Sequence, residues 1–133
     1  DPRGPPPGSA ARGEPGPRSI EFSARIDDVP TDFVITDFGS QLFIIVTQSA
    51  KIGSLIEASA SDKESGIERT YEVRVLFGDR RAEHYRAYAR ALIELITARS
   101  SRSILLGIAL NQHSKAGFRQ IIREIEDRVV SVA

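Results

Sequence analysis

The chain contains no cysteine, no methionine and no tryptophan in its 133 residues. Without cysteine there are no disulfides, no thiolate nucleophile and no cysteine-ligated metal, a pattern suited to a reducing compartment. Net charge is missing as well: 18 Lys and Arg balance 18 Asp and Glu. That removes any bulk electrostatic reason to expect nucleic acid or an acidic membrane as partner. It favours association through complementary patches instead. No apolar run approaches the roughly 18–20 residues of a membrane span. The lack of even an initiator methionine implies that the chain as given is processed, trimmed or tagged.

Catalytic patterns are equally scarce. Gly39, Gly53, Gly66 and Gly78 are isolated turn glycines, not a phosphate-cradling loop between strand and helix. His84 and His113 stand alone without ligand spacing and read as surface residues, so neither a metal nor another cofactor is expected. Serine and aspartate are plentiful, but no nucleophile-elbow motif accompanies them. Asp27 and Asp28 fall in a turn, where aspartate serves backbone geometry. Arg80, Arg81, Arg86 and Arg90 are interleaved with Glu83 and Glu94, which makes a solvated mixed-charge face. An enzyme is not expected.

Six of the seven prolines and four of the ten glycines lie within residues 1–18. With only Ala10 and Ala11 as further apolar side chains, that head cannot bury enough surface to offset its ordering entropy. It reads as a disordered tail or expression remnant, and residues 19–133 as the folded domain.

From Ser19 the pattern alternates, with Ile20, Phe22, Ala24 and Ile26 opposite Glu21, Ser23, Arg25 and Asp27, as in a half-buried strand. Thr31–Phe38 and Gln41–Ser49 form a hairpin about Gly39-Ser40. A fourth strand is expected over Lys51–Ser59, a polar loop over 60–66, and a fifth strand over Arg69–Phe77. Beyond Gly78-Asp79 the period changes to about 3.6. Tyr85, Tyr88, Ala89, Leu92, Ile93 and Ile96 then mark one helix, with Asp79 as candidate N-cap. Ser103–Leu110 is a further strand. A second helix follows Ser114, striped by Phe118, Ile121, Ile122, Ile125 and Val129.

The expected fold is α+β: a six-stranded, mainly antiparallel meander with two helices on one face. Leu42–Val46 and Ile104–Leu110 are apolar without alternation, so both faces of these central strands need cover. Two helices cover only one face. The other is available to a partner's sheet.

Val29-Pro30-Thr31, Val46-Thr47-Gln48 and Lys51-Ile52-Gly53-Ser54-Leu55 are followed by Val75-Leu76-Phe77-Gly78, Leu105-Leu106-Gly107-Ile108-Ala109 and a closing helix from Lys115. In order and spacing these segments resemble the proteasome assembly chaperone 3 family. The resemblance runs from about Val29 to Val130, leaves out the proline-rich head and does not place residues 60–67. It implies a small non-catalytic chaperone, cytoplasmic and also nuclear, with a six-stranded antiparallel sheet and helices on one face. It further implies a heterodimer with a related fourth assembly chaperone, which binds α-type subunits of the 20S proteasome and guides α-ring assembly. In isolation the chain has the option of pairing with itself.

Alternation divides the candidate interface into two sets: Phe33, Ile35, Phe43 and Ile45, or Val34, Leu42, Ile44 and Val46. Which set faces the helices stays open at the level of sequence. The first set, with Thr47, Gln48 and Lys51, forms the candidate partner-binding group, Lys51 being the candidate contact to a proteasome subunit. The alternative is a longin- or roadblock-like adaptor of a GTPase or trafficking complex, which also combines a meander with helices. An RNA-binding sheet would need exposed aromatics on a basic face, and Arg25 and Arg74 beside Glu21 and Glu72 do not supply one.

Overall fold

In the computed structural model, residues 17–49, 52–62 and 68–132 are described. The proline-rich head up to residue 16, Lys51 and most of the expected 60–66 loop lie outside them. Six strands are present: β1 (Arg18–Ile26), β2 (Val29–Asp37), β3 (Gln41–Thr47), β4 (Ser54–Asp62), β5 (Arg69–Phe77) and β6 (Ser103–Ala109). Two helices, α1 (Ala82–Thr97) and α2 (Lys115–Val132), flank β6 in the chain. Neither is long and apolar enough to cross a membrane.

The strands lie in the order β1-β2-β3-β6-β4-β5. The fold class expected from sequence is present, but the simple meander is not. β6 inserts between β3 and β4, parallel to β3 and antiparallel to β4. Skipping one strand requires a lateral step of only about 10 Å, which is short for a connection of six residues between Thr47 and Ser54. The gap is then filled by the other strand that is apolar on both faces. β4 also begins later than expected and runs through Ala60 to Asp62, because Ala60 and Ser61 find cross-strand partners in Tyr71 and Thr70.

Two tight turns set the register. Asp27 and Asp28 have φ of 53° and 65°, so both central residues of the β1–β2 turn are left-handed. That is the twist-compatible two-residue hairpin that Asp tolerates better than most side chains. In the β2–β3 turn Gly39 takes φ of 95°, and its N–H donates to Asp37 Oδ1 at 2.7 Å. Asp37 also pairs with Arg102 at 3.1 Å, tying the turn to the start of β6.

Both helices pack on the same side of the sheet, α1 over β4, β5 and β6, and α2 over β1 and β2. Ser114 caps α2 as expected, accepting from the N–H of Gly117 at 2.9 Å. Asp79 acts three residues before α1, where its carboxylate accepts from the Arg81 N–H at 2.8 Å. Between the layers, Phe33, Ile35, Leu42, Ile44, Val46, Ile56, Ile104, Leu106 and Ile108 meet the stripes of the helices, and all are fully buried.

A candidate interface on the open sheet face

The Phe38 N–H donates to Gln41 O at 2.9 Å across the two-residue Gly39-Ser40 turn. Counting outward from that pair, each residue of β2 faces a β3 residue of opposite parity: Phe33 faces Val46, Ile35 faces Ile44, and Val34 faces Ile45. Directly opposed residues share a face. Phe33 and Ile35 therefore belong with Leu42, Ile44 and Val46 in the helix-covered core, where none of them has accessible surface. Both sets of four drawn from sequence mix the two faces. The correction has a physical cause: a two-residue turn pairs unlike parities, whereas each set assumed like parities across the hairpin.

The surface opposite the helices carries Val34 from β2 with Phe43 and Ile45 from β3. Beside them lie Leu105 and Gly107 from β6 and Leu55 from β4, in register. Val34, Phe43, Ile45, Leu55 and Leu105 are half-buried. At the β5 edge the register slips beside Leu55, so that Phe77 pairs with Leu55 and Val75 with Ile56. The extra residue, Leu76, joins Phe77 at the surface, 46% and 52% exposed. Ile52 folds over Gly107, where an added Cβ would sit 3.2 Å from its side chain. The outcome is one apolar band running obliquely across the sheet. Its flanks are polar: Arg74 pairs with Glu57 on one side, and Ser23 donates to Asp32 at 2.8 Å on the other. A contiguous apolar band with polar margins has the make-up of a protein–protein interface.

Thr47 and Gln48 sit differently from the expectation. Thr47 is nearly buried at the end of β3. Gln48 acts as an internal clamp: its Nε2 donates to Thr31 Oγ1 at 3.0 Å, and its Oε1 accepts from the Asn111 N–H at 2.6 Å. Gln48→Ala should therefore lower stability by about 1–2 kcal/mol through two lost hydrogen bonds. A urea titration would show this as a reduced midpoint with unchanged slope. A midpoint equal to wild type would mean that the clamp carries no net energy.

Other polar groups are engaged within the fold. A cavity of about 370 Å³ between the loops includes Asp79, Arg81, Tyr85 and Asn111 in its lining. There the Arg81 guanidinium donates to Leu110 O and the Leu110 N–H donates to the Tyr85 hydroxyl, both at 3.0 Å. Among the described residues no His, Asp and Glu side chains group in a way that could hold a metal. The two histidines are neighbours, their rings 5.8 Å apart, and His113 Nδ1 lies 2.8 Å from the Tyr88 hydroxyl. Burial pushes the Tyr88 hydroxyl up to about 12, so it stays protonated near neutrality. Along the chain 28 residues and a whole strand separate the two histidines, so their proximity is not legible in the sequence.

The profile of the family described as Proteasome assembly chaperone 3 matches residues 44–128. A Homo sapiens protein named Proteasome assembly chaperone 3 is 31% identical over 101 residues, covering 71% of this chain and 81% of that protein. One of the same name from Nematostella vectensis is 26% identical over 115 residues, covering 80% and 84%. In fold the chain is similar to a solved structure described as a novel chaperone complex for yeast 20S proteasome assembly. The TM-score is 0.64 at 15% identity, over 83% of this chain and 97% of that one.

Proposed function

Because the chain belongs to the proteasome assembly chaperone 3 family, we propose that its open sheet face pairs with the sheet of a related assembly chaperone, and that the pair binds α-type subunits of the 20S proteasome to promote α-ring assembly. Its relatives imply a non-enzymatic role. The observation that carries the pairing is the oblique apolar band Val34–Phe43–Ile45–Leu105–Leu55, left uncovered by both helices and continued to the β5 edge by Leu76 and Phe77. Sheets that stack face to face bury such bands between layers about 10 Å apart. The relatives named as proteasome assembly chaperones and the fold match to a 20S assembly complex support the client. On this reading the chain works in the cytoplasm, with the nucleus as a second location.

Affinity capture of the tagged chain from lysate of its source cells, read by mass spectrometry, tests the assignment. The expected result is α-subunits together with one similarly sized chaperone and few mature β-subunits. Recovery of a GTPase or trafficking complex without proteasome peptides would overturn the proposal and favour a longin- or roadblock-like adaptor.

A further inference from the structure

On the side of the molecule away from the sheet face, α1 and α2 enclose a groove of about 340 Å³ lined by Ala87, His113, Lys115, Phe118 and Arg119. Its floor is apolar. Phe118 packs edge-on against the buried Tyr88, ring centroids 4.7 Å apart. The His113 ring is held by its Nδ1 contact to Tyr88, which leaves Nε2 for a ligand.

Among the described residues that line it, the rim carries two cations and an imidazole and no carboxylate. Neighbouring arginines on the helices are neutralised at home: Arg86 by Glu83 at 3.2 Å, Arg90 by Glu94 at 3.5 Å and Arg128 by Glu124 at 3.2 Å. Among the described residues Lys115 and Arg119 have no ion-pair partner, nor does Arg123 one turn further on. Nor does Lys115 serve its own helix. Lys115 stands in the first turn of α2, which has no acidic residue, and a cation there opposes the helix dipole. Asp27 meets the helix start from the sheet side, through Ser114, and does not line the groove. Local stability thus favours the opposite charge, as is common where a surface is reserved for a ligand.

We propose that this groove docks an acidic segment of a protein partner, with one or two bulky apolar side chains seated between Ala87 and Phe118 and its carboxylates on Lys115, Arg119 and His113. A volume at the lower end of ligand pockets suits a short peptide, not a folded domain. The groove and the apolar sheet band lie on opposite sides of the molecule, so occupying one leaves the other accessible. The docking site stands whether or not the sheet pairs with another chaperone.

The test uses the full chain, isotopically labelled. The probe is an acetylated and amidated heptapeptide with Leu-Phe at its centre and Asp or Glu on either side. A control peptide replaces the acidic residues with lysine. The expected outcome is saturable chemical-shift change centred on Ala87, His113, Lys115, Phe118 and Arg119. Binding should weaken at least tenfold in Lys115→Glu/Arg119→Glu, in Ala87→Glu and at 500 mM salt, where exposed charges are screened. All three positions are exposed, so these variants keep the fold. The proposal is overturned if the lysine-flanked peptide binds as well, if the shifts centre on Phe43 and Ile45, or if the double charge reversal binds within twofold of wild type. Displacement of the peptide by an oligonucleotide, or no saturation at millimolar peptide, overturns it too.

Discussion

Glutamate at Ile44 is expected to unfold the chain, whereas glutamate at Ile45 should leave it folded and abolish pairing through the sheet. The two residues are neighbours of nearly identical chemistry, separated only by the pleat. Ile44 is fully buried beneath the helices, opposite Ile35 and Leu106. A carboxylate there has no partner and costs several kcal/mol in desolvation. That is comparable with the roughly 5–15 kcal/mol total stability of a domain. Ile45 is half-exposed on the open face, opposite Val34 and Gly107. A glutamate there reaches water in the free chain and is trapped unpaired only when a second sheet covers it. At about 1.4 kcal/mol per factor of ten, even a 3–4 kcal/mol penalty weakens pairing by two to three orders of magnitude. Urea unfolding reads the first property, and sedimentation of the chain mixed with the proposed partner chaperone reads the second. If both variants unfold, or if Ile45→Glu pairs as tightly as wild type, the sheet face is not the interface.

The same pair of residues shows what could be read from sequence and what could not. The six strands, both helices and the two apolar central strands all follow from period and composition. The need for a cover on one sheet face follows as well. The grouping of side chains across the hairpin was within reach, since Gly39-Ser40 between two β-branched runs signals a two-residue turn, and that turn length alone opposes Val34 to Ile45. The insertion of β6 was not within reach. The pattern of Ile104–Leu110 says only that the strand is central, and nothing local distinguishes a place beside β3 from one beyond β5. The helix-face groove was hidden for a similar reason. Ala87 lies on one helix and Phe118 on the other, and a strand and two loops bring His113 back to Tyr88. Lysine and arginine on a helix surface look like solubility until their missing partners can be seen.

Gly117→Ala should destabilise the protein by about 1–2 kcal/mol, the reverse of what helix propensity dictates. Alanine in place of glycine favours a helix interior by up to about 1 kcal/mol, and Gly117 lies in the first turn of α2. Its missing side chain, however, makes room for Asp27. An added Cβ would stand 2.5 Å from Asp27 Oδ2 and 3.1 Å from Ser114 Oγ. Asp27 cannot swing aside freely. Its carboxylate accepts from the Ser114 hydroxyl at 2.7 Å, and its backbone is held at φ of 53° by the two-residue turn. That turn joins β1 to β2, and Gln112 and Gln120 donate to the backbone oxygens of Asp27 and Arg25. The start of α2 is thus registered on the β1–β2 hairpin around Asp27, and the clash pushes the two apart. Asp27→Gly keeps the left-handed turn and removes the carboxylate, at a cost of about 1 kcal/mol for the lost hydrogen bond. In that background Gly117→Ala should become neutral or stabilising, a coupling of about 1–3 kcal/mol between contacting residues. Four urea titrations complete the cycle. If Gly117→Ala raises stability in the wild-type chain, or costs the same with and without Asp27, the hairpin and helix are not locked through this contact.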